Sequence, residues 1–220
     1  MLVRRLARRL PATLAVLALL TLAPSLIGCG GGSTATGKGT TARSSPRSPE
    51  FRAAGLLEPV RPAPALSLHN YLGQPVNIAS YKGRAVLVTF IYTHCPDICP
   101  LITSNLRVAL NLLPAAERSK VQVIAVSVDP RGDTRRAIAS FLARHEMTGR
   151  MQYLVGSLHE LAQAWQAWGV GSERDARNPE FIDHSGLVYG ITASGKRLTL
   201  YAANFKPRDI AHDVPLLAAR

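Results

Sequence analysis

From residue 56 onward the chain alternates two kinds of apolar pattern. Residues 85–92 and 121–128 are continuous apolar runs rich in Val, Ile and Ala and bounded by turn residues, which predicts strands buried on both faces. Leu101, Ile102, Leu106, Leu110 and Leu113 recur near helical spacing, with Pro100 in the first turn and Pro114 as the stop. Residues 135–145 predict a second helix, with Asp133 or Thr134 as its N-cap. Residues 152–155 predict a third strand. In the helix that follows Ser157, residues Leu158, Leu161, Trp165 and Trp168 share one face, Gly169 ends the pattern, and both tryptophans are expected in the core. Residues 64–78 predict two short strands around Asn70-Tyr71-Leu72-Gly73-Gln74. Residues 185–192 and 196–201 flank Ala193-Ser194-Gly195, a hairpin turn, and 207–219 predict a closing helix.

Strands alternating with helices imply an α/β domain, with a central and mostly parallel sheet flanked by helices. The final antiparallel hairpin makes the layout resemble the thioredoxin-like fold, here with an N-terminal β-hairpin extension. Residues 56–220 are long enough for one domain with a full core.

The N-terminal quarter reads differently. Arg4, Arg5, Arg8 and Arg9 precede an apolar stretch at residues 12–22, shorter than the roughly 20 residues of a membrane span. Leu26-Ile27-Gly28-Cys29 resembles a bacterial lipobox, which makes residues 1–28 a lipoprotein signal peptide and Cys29 the site of lipid attachment. Residues 30–52 are mostly Gly, Ser, Thr, Pro and Arg with one Phe and little else to bury, which makes residues 29–55 a flexible, lipid-anchored tether. The expected location is the extracytoplasmic face of the cell membrane. The net charge of +12 is partly that of the leader, whose four arginines depart with it, and partly that of Lys38, Arg43, Arg47 and Arg52 in the tether. No basic stripe is interleaved with aromatics, which argues against nucleic acid as a partner.

With Cys29 committed to lipid, only Cys95 and Cys99 remain of three cysteines. They sit in Tyr92-Thr93-His94-Cys95-Pro96-Asp97-Ile98-Cys99-Pro100, between a strand exit and a helix entrance. A helix N-terminus favours thiolate, the form that attacks disulfides and also the form that binds soft metals. The three intervening residues permit a disulfide and equally permit both sulfurs to converge on a metal. His184, in Phe181-Ile182-Asp183-His184-Ser185-Gly186, lies in the loop that a thioredoxin-like layout brings opposite the active-site helix. Two thiolates and an imidazole suit copper: Cu(I) on the two sulfurs, Cu(II) with the nitrogen added. Asp97 and Asp183 are candidates to orient ligands or contact a partner, or to hydrogen-bond their own backbone. His69, His94, His145, His159 and His212 are expected at the surface, and the ring of His94 is expected to point away from Cys95.

The run from Thr89 to Pro100 is similar to the metal-binding loop of the Sco/SenC proteins. Ser127-Val128-Asp129-Pro130-Arg131-Gly132-Asp133-Thr134 resembles their second signature, and Trp168-Gly169-Val170 and Asp183-His184-Ser185 resemble two more. The resemblance implies a membrane-tethered, thioredoxin-like copper chaperone, rather than an enzyme, that serves the CuA-bearing subunit of cytochrome c oxidase. Cys95, Cys99 and His184 match the family's copper ligands. A lipobox replaces the membrane helix of some members. The rival reading is a thiol–disulfide oxidoreductase that reduces the cysteines of the oxidase subunit, with His184 handling a proton or supporting the loop.

Overall fold

The computed structural model describes residues 50–171, 173–174, 182–183 and 186–220. All of β4 (Ala85–Ile91) is buried, as its continuous apolar run requires. β5 (Val121–Ser127) pairs with it in parallel over its full length, and β9 (Leu187–Ile191) pairs antiparallel on its other side. β6 (Met151–Val155) continues the parallel set beyond β5. The hairpin of β2 (Ser67–Asn70) and β3 (Pro75–Asn77) forms where expected and adds antiparallel to β6. On the opposite flank, β10 (Lys196–Ala202) pairs with β9, and β1 (Gly55–Pro62) forms the edge. The eight-stranded order is β1-β10-β9-β4-β5-β6-β2-β3. The sheet is therefore mixed. Strand–helix alternation produces the parallel centre β4-β5-β6, and the β2-β3 and β9-β10 hairpins, with β1 added at the edge, supply the antiparallel flanks. A separate ribbon pairs β7 (Glu173–Arg174) with β8 (Ile182–Asp183).

The helices follow their apolar stripes. On α1 (Ile98–Leu112) the buried face is Cys99, Ile102, Thr103, Leu106, Ala109 and Leu110, so Cys99 belongs to the core stripe of the helix. Leu101 is 42% exposed and Leu158 is 61% exposed, so neither joins the core that its neighbours in the pattern occupy. α2 (Ala115–Arg118) is a single turn. α3 (Arg135–Arg144) is capped by Thr134, whose side chain accepts from Ala137 N–H. α4 (Leu158–Trp168) opens on a capping box between Ser157 and Glu160 and closes at Gly169, where φ is 69° and a side chain would be strained. α5 (Pro207–Ala218) packs on α1. Among the described residues, no helix is long and apolar enough to cross a membrane.

Among the described residues, Phe51 and Arg52 tie the start of the chain to α5 and the C-terminus. The fully buried Asp213 on α5 accepts the Arg52 N–H on both oxygens, at 2.9 and 3.0 Å, and the Tyr201 hydroxyl at 2.9 Å. His212 Nδ1 lies 2.8 Å from the same carboxylate, and the Arg220 guanidinium sits 4.9 Å from the centre of the Phe51 ring. Asp213→Ala is expected to destabilise the domain by about 1.5–3 kcal/mol, the range for hydrogen bonds to a charged group. Urea unfolding measures the loss, and trypsin should cut after Arg52 faster in the variant than in the parent.

Candidate metal centre

The cysteine loop leaves the sheet at Ile91 and enters α1 at Ile98. Cys95 is 8% exposed and Cys99 is fully buried, and no disulfide joins them. Asp97 is the N-cap of α1 by position, but its exposed side chain makes no capping hydrogen bond. One helix-end donor goes instead to sulfur: Cys99 N–H lies 3.4 Å from Cys95 Sγ and donates to it. Thr103 Oγ1 donates to the Cys99 carbonyl at 2.8 Å, within the first turns of the helix.

At Cys99 burial works against the thiolate that a helix N-terminus favours. Burial pushes its thiol well above the usual range, and the neighbouring Cys95 and the Asp133 carboxylate push the same way against a backbone hydrogen bond from Tyr92. Cys99 lies on the core stripe, where desolvation outweighs the helix end. A cation brought to the sulfur removes that penalty, because a metal-bound thiol loses its proton.

Asp133, considered as an N-cap, has a different place. It lies beneath the loop, where its carboxylate accepts from the Thr93 N–H at 2.8 Å. Burial raises its pKa, and hydrogen bonds from Ser127, Thr93 and Tyr153 oppose the rise. The sequence did contain a signal for this: with Thr134 beside it as a competent cap, Asp133 is left without a helical role. The adjoining turn is tight. A Cβ on Gly132 would overlap the Asp129 carboxylate and stand 3.2 Å from His94 Nδ1, so any larger residue there would force the Asp129 side chain to move. His94 is exposed and its ring is directed at this turn, with Nδ1 also 3.1 Å from Thr93 Oγ1. His69 and His159 are exposed, whereas His145 and His212 are half-buried and hold Ser104 and Asp213.

The start of β9 closes the other side of the loop. A Cβ on Gly186 would lie 2.7 Å from Ile98 Cδ1, and the Leu187 carbonyl accepts from Thr89 Oγ1 at 2.9 Å. The chain just after residues 184–185 thus packs on the first turn of α1, next to Cys99. The structure brings Cys95 and Cys99 together and leaves Asp97 exposed at the rim. Asp183 is described by its backbone in β8, and His184 and Cys29 lie outside the described residues. Among the described residues no three potential ligands converge.

Residues 59–219 match the family model described as SCO1/SenC. The mouse protein SCO1 homolog, mitochondrial (Mus musculus) is 28% identical over 154 residues, covering 68% of this chain and 53% of the relative. The chain spans about half the length of the curated relatives it matches. Copper-bound ScoI from Bradyrhizobium japonicum superposes with a TM-score of 0.58 at 26% identity, covering 71% of this chain and 99% of that one. BsSco, a member of the Sco family of cytochrome c oxidase assembly proteins with an identified disulfide switch, superposes with a TM-score of 0.60 at 26% identity, covering 74% of this chain and 97% of that one. The four ordered motifs, the paired cysteines at the head of α1 and a match that spans nearly the whole folded region agree: this chain belongs to the SCO1/SenC family.

Proposed function

We propose that the protein is an extracytoplasmic, membrane-tethered copper chaperone that delivers its metal to the CuA site of cytochrome c oxidase. Copper is its cargo. Cys95 and Cys99 hold Cu(I) through soft thiolate sulfur, and His184 adds the nitrogen that Cu(II) prefers. Cys29 carries the lipid that keeps the domain at the membrane. Asp97, exposed beside the pair, and Asp183 serve as contacts for the receiving subunit or orient the ligands.

The observation that carries this reading is the packing of Gly186 on Ile98, because it ties the segment following His184 to the helix turn that bears Cys99. The copper-bound state of the Bradyrhizobium relative and the oxidase-assembly role of the family of BsSco support the cargo and the partner.

A second reading is favoured by the proximity of Cys95 Sγ to the Cys99 amide: the pair can cycle between dithiol and disulfide and reduce the cysteines of the oxidase subunit. Two assays separate the readings. The reduced domain is expected to bind one Cu(II) per chain with a thiolate-to-copper absorption band, and His184→Ala should shift or remove that band. Binding no tighter than a surface site would overturn the chaperone reading. Opening of a disulfide in a CuA-loop peptide by copper-free, reduced domain would instead support the reductase.

A further inference from the structure

Asp133 is 5% exposed, and its carboxylate joins the cysteine loop, β5 and β6. Its Oδ1 accepts from Thr93 N–H at 2.8 Å, in the cysteine loop. Its Oδ2 accepts from Ser127 Oγ at 2.6 Å, at the end of β5, and from the Tyr153 hydroxyl at 2.8 Å, on β6. The network extends further. Ser127 Oγ accepts from Asp129 N–H at 3.2 Å, and the Tyr153 hydroxyl lies 3.2 Å from the Ile91 carbonyl, at the end of β4. α3 does not need this carboxylate, because Thr134 caps it.

Burying a carboxylate is unfavourable unless its lone pairs are satisfied, and here three donors from three segments satisfy it. Two of those donors, Ser127 and Tyr153, lie on strands that the parallel ladders already fix. The third does not. Thr93 stands past the last residue of β4 and two residues before Cys95, where no ladder holds the backbone. The carboxylate therefore transfers the rigidity of the sheet to the start of the loop.

We propose that Asp133 is a positioning residue of the cysteine loop: by holding the Thr93 amide against the ends of β5 and β6, it sets where Cys95 stands relative to Cys99. This rests on the reading of the cysteine pair as the working site. It does not depend on whether that site carries copper or electrons. Fixed separation of the sulfurs governs how both reach one metal ion, and also how readily they close on each other.

The test compares Asp133→Ala with Asp133→Asn. Asparagine keeps an oxygen for Thr93 N–H, and its NH₂ can donate to the Ser127 and Tyr153 hydroxyls once these turn to accept. Alanine leaves all three donors without that acceptor. The copper-free readout is the equilibrium with oxidised glutathione, in which the two thiols lose two electrons and two protons. One Cys95–Cys99 S–S bond forms and two molecules of reduced glutathione are released. Asp133→Ala is expected to shift this equilibrium constant by tenfold or more, about 30 mV for a two-electron couple. Asp133→Asn should stay within about threefold of the parent, the smaller part of that tenfold step. The second readout is the Cu(II)–thiolate band, expected to move or broaden in the alanine variant and to return in the asparagine variant. Parent-like behaviour of Asp133→Ala, or equal damage from asparagine and alanine, would overturn the proposal. Amide hydrogen exchange of the native protein needs no variant. The Thr93 amide should be as protected as those of β4, and rapid exchange there would overturn the proposal on its own. A parent that binds no copper would refute the chaperone reading, while the glutathione equilibrium would still test Asp133.

Discussion

Replacing Cys95 and Cys99 together with serine is expected to abolish tight copper binding while leaving a folded domain. A neutral serine hydroxyl is a harder and weaker donor than thiolate, so the variant loses the preference for Cu(I) that two sulfurs confer. Loss of a partner outside the ligand shell costs roughly 10–100-fold in affinity, and loss of both sulfur ligands should exceed that range. The fold should tolerate the change. Cys99 is fully buried on the core face of α1, so a serine there places a hydroxyl among apolar side chains at about 1–3 kcal/mol. The helix keeps its length, and Ile102, Leu106 and Leu110 still bury its stripe. Competition with a Cu(I) chelator measures the affinity, and circular dichroism checks the fold. A double variant within tenfold of the parent would mean that the sulfurs are not the ligands.

Trp168→Ala is expected to be the most destabilising single truncation considered, at about 3–5 kcal/mol. Trp168 is 1% exposed and packs between Phe90 and Tyr189, with ring centroids 5.8 and 5.4 Å away. The pair with Tyr189 is edge-on at 73°, and the Tyr189 hydroxyl donates to the Trp168 carbonyl at 3.2 Å. Phe90 is the next-to-last residue of β4, so the tryptophan braces the strand that delivers the cysteine loop. Urea unfolding should show the loss as a lower midpoint with an unchanged slope. A loss below 1 kcal/mol would contradict this packing.

The apolar patterns foretold the centre of the fold because burial there is simple. β4 and β5 are covered on both sides, and each reads as a mostly apolar run interrupted only by Thr89 in β4 and by Gln122 and Ser127 in β5. The hairpins were marked by their turn residues: Asn70 Oδ1 accepts the Leu72 and Gln74 amides at 3.0 Å, as a turn-forming asparagine does. β1 carried no such signal. It is an edge strand with mostly exposed residues and contains Pro59, which only an edge tolerates, so neither alternation nor a continuous run announces it. α2 is one turn long, too short to show a period.

At the site, the cysteine pair was legible from spacing and from its place between strand and helix. Two features were not, beyond the hint that a competent cap at Thr134 leaves Asp133 without a helical role. The chemical state of Cys99 depends on its lying on the buried stripe of α1, where desolvation outweighs the helix end. The role of Asp133 depends on Thr93, Ser127 and Tyr153, the first and last of which are 40 and 20 residues away in the chain and meet it only through the order of the sheet.

The most direct test of the central claim is X-ray absorption at the copper edge of the loaded domain, with Cys99→Ser and His184→Ala beside it. Two sulfur neighbours per copper are expected in the parent, one in Cys99→Ser, and imidazole scattering in the Cu(II) form that vanishes in His184→Ala. A parent spectrum with nitrogen and oxygen neighbours alone, unchanged by either substitution, would contradict it.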